Sequence, residues 1–150
     1  MSTTEGVPAV GAERDTWPAR NGAGGDFVSV RVPAAAAYLS VLRTTTASLA
    51  ARLDFTLDEI EDLRIAVDEA SCLLLASAVE GAELTSVFAM SDDSIQISVS
   101  TMTDKGHTPS RDSFAWTVLS ALAGEVDAWT EADGHQTISL IKHRSRDMPT

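Results

Sequence analysis

Apolar positions along the chain follow two periods, and the switches between them mark the elements. Phe27–Val32 alternates and is β-branched in part, which predicts a strand, and Pro33 ends it. Leu39, Leu42, Thr46, Leu49 and Leu53 then recur at helical spacing, the buried stripe of a helix over about Ala35–Leu53. The next helix start is signalled twice. Thr56-Leu57-Asp58-Glu59 has the composition of a capping box, in which the Thr hydroxyl accepts from the Glu59 amide and the Glu carboxylate reaches back. Phe55 and Ile60 stand at the hydrophobic-staple positions on either side of it. Ile60, Leu63, Val67, Ala70 and Leu74 give this helix its core face; it is expected to run to about Val79, with Gly81 as the stop.

Beyond Gly81 the period falls to two. Ala82–Met90 and Ser94–Thr101 predict strands joined at Ser91-Asp92-Asp93, and Ile95, Ile97 and Val99 alternate with Gln96, Ser98 and Ser100, one face buried and one wet. A polar loop, Met102–Arg111, precedes a helix over Asp112–Ala123. Two final strands, Val126–Glu131 and Thr137–Lys142, flank the turn Asp133-Gly134-His135. The order predicts an α+β fold: a two-layer sandwich of one mixed, mostly antiparallel sheet with three helices on one face. The folded domain is expected over 27–143. Residues 1–26 hold five of the nine glycines and no hydrophobic periodicity, so they are expected to be a disordered leader, with Trp17 its one large apolar residue. The C-terminal tail, 144–150, is the end of a short basic run and reads as solvated.

Charge narrows the function classes. The net charge of −11 makes direct nucleic-acid binding unfavourable, because phosphates repel such a surface, and is compatible with a basic protein partner or with simple solubility. Cys72 is the only cysteine, so no intramolecular disulfide can form and a reducing cytoplasm is the expected compartment. No apolar run approaches the roughly 20 residues of a membrane span, and the N-terminus has no apolar signal-peptide core. His107, His135 and His143 show no metal-ligand spacing to one another or to Cys72, so no metal site is expected. Cys72 shares its helix with a Leu-rich half expected in the core, where a thiol is inert and should resist alkylation. There is no phosphate-binding P-loop, nucleophile elbow or dinucleotide fingerprint.

The chemistry concentrates on the second helix, Asp58–Ala78, DEIEDLRIAVDEASCLLLASA. Asp62, Ala66, Glu69 and Leu73 fall on one of its faces. This helix, together with Leu42-Arg43, the run Leu53–Glu59 (LDFTLDE) and Ile60–Ala70 (IEDLRIAVDEA), resembles the RsbW/SpoIIAB-type anti-sigma factors, of the actinobacterial kind with eroded ATP boxes. The resemblance covers about 27–143 and implies a histidine-kinase-like ATPase (Bergerat-type) fold.

In that family the protein sequesters a sigma factor and phosphorylates a serine on an anti-anti-sigma (STAS-domain) protein. The resemblance assigns Glu69 to the family's catalytic Glu, here vestigial. It assigns Asp104 and Gly106 to an Asp-x-Gly box whose carboxylate accepts from the adenine amino group, and Thr137 to a strand Thr near adenine. Arg43 matches an arginine that grips both protein partners; it stands off the leucine stripe and is expected to be exposed. Three positions depart from the pattern. Leu73 stands where the family's magnesium-binding Asn should be and offers no ligand oxygen. Ser113 and Ala115 stand where lid glycines should approach the phosphates.

The implied reading is an anti-sigma factor, dimeric like its family, released by the anti-anti-sigma partner, with weak ATP or ADP binding, little use for magnesium, and weak or lost kinase activity. The alternative is an active serine kinase acting on the anti-anti-sigma protein.

Overall fold

The computed structural model describes residues 25–104 and 109–145. Strand β1 (Phe27–Pro33) leads through a short 3-10 turn into helix α1 (Leu39–Arg52), followed by α2 (Leu57–Leu75), β2 (Glu83–Met90), β3 (Ser94–Met102), α3 (Phe114–Ala123), β4 (Glu125–Thr130) and β5 (His135–His143). The element order is the expected one. The strands form one sheet in the order β1-β2-β3-β5-β4, and each of its four pairings is antiparallel, so the sheet is not mixed. β4 reaches the edge because α3 carries the chain over the helix layer, and β5 returns into the gap beside β3.

Strand alternation sorts the sheet into two faces. Val32, Leu84, Phe88, Ile95, Ile97, Val99, Ala128, Ile138 and Leu140 are buried against Leu42, Ala50, Leu63, Val67, Ala70 and Leu74 of the α1–α2 hairpin and Trp116 and Leu119 of α3, in a single core. α2 is the central helix: it packs on α1 and α3 and lies over β3 and β5. The opposite face of β3 and β5 carries Ser94, Gln96, Ser98, Ser100, Thr137 and Ser139.

The α1–α2 connection shows why this hairpin is tight. Phe55 N–H donates to Ala50 O at 3.2 Å and Asp54 N–H to Ala51 O at 3.0 Å, a Schellman ending with Asp54 at φ 64°. The capping box then opens α2 with both of its bonds, Glu59 N–H to Thr56 Oγ1 at 3.1 Å and Thr56 N–H to Glu59 Oε1 at 2.8 Å. Phe55 is buried and Ile60 packs against the same core.

α2 stops at Leu75, short of the expected Val79. Val79 N–H donates to Met102 O at 3.0 Å, and Ala78 bridges to Thr103. Pairing with the end of β3 thus overrides helical propensity over the last turn. α3 turns straight into β4 through Gly124 at φ 96°, a conformation that an L side chain would strain. No helix among the described residues is long and apolar enough to cross a membrane. Trp17 and Gly106 lie outside the described residues.

Candidate functional site

α2, the end of β3 and the start of α3 frame the region where the sequence places its chemistry. On α2, Ala66 is fully buried, while Asp62, Glu69 and Leu73 are half-buried along the same face. Glu69 has no hydrogen bond or ion pair among the described residues, so its carboxylate is uncommitted. Leu73 packs against the core, and nothing at its position offers a hard cation an oxygen. Asp104 is exposed just past β3, and its N–H donates to Ser77 O at 3.3 Å, which ties it to the turn that ends α2.

Thr137 is not on this side. Ile138 and Leu140 are core residues, so Thr137, one position away, lies on the opposite face with its partners Ser100 and Trp129. The residue that β5 turns toward the helices at this level is Gln136. It is 2% exposed, with Nε2 3.4 Å from Thr130 Oγ1. Counting alternation back from Ile138 would have selected it.

The start of α3 is an ordinary capped helix start. Ser113 is the N-cap, with φ −77° and ψ 158°, a backbone any residue adopts; its Oγ accepts from Trp116 N–H at 3.1 Å and donates to Ser110 O at 2.8 Å. Ala115 is within the first turn. Asp112 is exposed beside this N-terminus and puts a negative charge where the helix end would otherwise favour an anion. Phe114 is 82% exposed. Arg111, the nearest cation in the described part of the loop, is committed elsewhere. Its Nη2 is 2.8 Å from Asp127 Oδ1 on β4, and its guanidinium lies 4.6 Å from the centre of the Trp116 ring. That hydrogen bond, reinforced by one from the Ala128 amide, outweighs partial burial and holds the Asp127 carboxyl below its ordinary range.

Arg43 is not the free surface arginine expected. It is half-buried and its Nη1 donates to Asp68 Oδ1 at 2.6 Å across the α1–α2 hairpin. No helical spacing links residues so far apart in the chain, so nothing in the sequence pointed to the pair. Cys72 also departs from expectation: it is exposed, because residue 72 falls on the side of α2 opposite the buried stripe of Leu63, Val67, Ala70 and Leu74. Partial desolvation raises its pKa, Asp68 and Glu69 add to the rise, and Arg43 opposes it. Among the described residues no three His, Cys, Asp or Glu side chains gather as a metal site would need.

An antiparallel sheet backed by helices, with acidic residues on the central helix, is an α+β two-layer fold compatible with the one the sequence resemblance implies. The comparisons point the same way. The chain is 35% identical over 109 residues to "Anti-sigma-F factor RsbW" of Mycobacterium tuberculosis, covering 73% of this chain and 64% of that protein. It is 31% identical over 102 residues to "Serine-protein kinase RsbW" of Bacillus mycoides, covering 67% and 59%. Among solved structures it matches the RsbU and RsbW domains of Rv1364c from M. tuberculosis with a TM-score of 0.64 and 18% identity, over 81% of this chain and 33% of that one. No family model matches. The chain thus resembles RsbW-type proteins in sequence, and it spans less than two thirds of the length of these curated relatives.

Leu73 offers no oxygen to a hard cation, α3 opens as a Ser113-capped helix start beside the exposed Asp112, and Arg111 is tied to Asp127. Glu69 and Asp104 are carboxylates on this side whose side chains make no hydrogen bond among the described residues.

Proposed function

We propose that this protein is an anti-sigma factor that acts by stoichiometric binding, sequestering a sigma factor until an anti-anti-sigma protein with a STAS domain releases it. The sequence similarity to the mycobacterial anti-sigma-F factor supports the partner class. Arg43, with Ile65 exposed one turn from its partner Asp68 on α2, supports a protein-binding surface there. The observation that carries binding over catalysis is Leu73. Phosphoryl transfer needs a cation to neutralise and align the phosphates. Losing such preorganised contacts costs about 2–4 kcal/mol each, and the metal ligand and both lid positions have been lost together. ATP or ADP binding through Asp104 and Gly106 is weak in this reading, with Glu69 vestigial. The protein works in the cytoplasm, as a dimer.

The second reading, an active serine kinase, draws on relatives that carry that name and on the uncommitted Glu69 carboxylate. The test is in vitro transcription with purified polymerase and individual sigma factors of the sigma-F type. Inhibition of one sigma-dependent promoter at near-equimolar ratio is expected. No inhibition of any, with no sigma factor co-purifying, overturns the sequestration reading.

A further inference from the structure

Neighbouring acidic residues on α2 have separate roles in the structure. Glu69 is uncommitted, whereas Asp68 holds Arg43 through one hydrogen bond, Nη1 to Oδ1 at 2.6 Å. The pair sits at the surface, with side chains 36% and 37% exposed, so it contributes little to folding. Its geometric effect is larger. A guanidinium carries five N–H donors in a planar fork. Among the described residues this bond is the one Arg43 makes, which leaves the Nε–Nη2 edge without a partner. An untethered arginine samples many rotamers and must give up that freedom to grip a carboxylate. An arginine already fixed by one corner gives up less.

We propose that Asp68 is a positioning residue for Arg43, holding the guanidinium so that its free edge meets a carboxylate of the sigma-factor partner in two parallel hydrogen bonds. This rests on the sequestration reading above. A purely competing role for Asp68 makes the opposite prediction, because a competitor must be displaced and its removal tightens binding.

The experiment is a double-mutant cycle on the full chain, read as affinity for the sigma factor inhibited in the transcription assay. Measurement at 0.5 M salt screens the change in surface charge. Arg43→Ala should weaken binding about thirtyfold and Asp68→Asn about three- to tenfold. The double variant should be no weaker than Arg43→Ala, since Asp68 acts only through Arg43. Asp68→Glu, which keeps the carboxylate, should recover part of the loss, and melting temperatures should stay close to that of the parent. Unchanged or tighter binding by Asp68→Asn overturns the proposal, as does multiplication of the two effects in the double variant. If the unmodified protein binds no sigma factor, the sequestration reading fails first and the proposal falls with it, a result distinct from failure of the cycle alone.

Discussion

Helices α2 and α3 both begin at a hydroxyl: Thr56 and Ser113 each accept an amide N–H three residues on, at 3.1 Å. At α2 the favour is returned. Glu59 reaches back to Thr56 N–H, accepts Ser145 N–H at 2.8 Å from beyond β5, and follows a buried Phe55 and a Schellman ending. At α3 the corresponding position is Trp116, which has no carboxylate to return, and the next residue after the cap is the exposed Phe114. The first start is over-determined because it joins two core helices. The second is a plain helix terminus capped by Ser113. Comparable local chemistry therefore over-determines one helix start and gives the other a single side-chain cap.

This contrast can be broken at its strong end first. Phe55→Ala should destabilise the domain by about 3–5 kcal/mol, as large-to-small core changes do; chemical denaturation with an unchanged slope would check it, and a loss under 1 kcal/mol would mean that the hairpin does not depend on its staple. Thr56→Ala should cost about 1 kcal/mol in the same experiment.

The capping box also predicts a pH dependence. Burial alone would raise the Glu59 pKa, but the amides of Thr56 and Ser145 outweigh it and hold it below the ordinary value. A carboxylate depressed in the fold contributes stability above its unfolded pKa and loses it as pH falls through the folded one. The melting temperature should therefore drop below about pH 4, and less steeply in Glu59→Gln; parallel profiles would remove Glu59 from the account. At the weak end, Ser113→Gly should cost only a few tenths of a kcal/mol and should not bring phosphate binding back, because Asp112 and Leu73 remain.

Most of the fold was legible because it rests on local signals: periodicity for the strands and the α1 and α2 stripes, and paired side-chain chemistry for the box at Thr56. What sequence reasoning missed required neighbours. α2 ends early because Val79 is captured by Met102, and Cys72 is exposed because it lies opposite the buried stripe of its helix. Thr137 was chosen by resemblance where the alternation of Ile138 and Leu140 assigns it to the far face. Nothing in the sequence singled out Asp68, since only folding brings Arg43 to it.

The proposed function is binding without phosphate transfer. It is tested most directly by incubating the purified chain with radiolabelled ATP and its cognate anti-anti-sigma protein, with and without magnesium. The account predicts no phosphoserine on the partner in either condition, and none in Leu73→Asn alone, because the capped start of α3 still stands where the lid glycines would be. Magnesium-dependent phosphoserine formed by the unmodified chain would contradict it and establish the kinase.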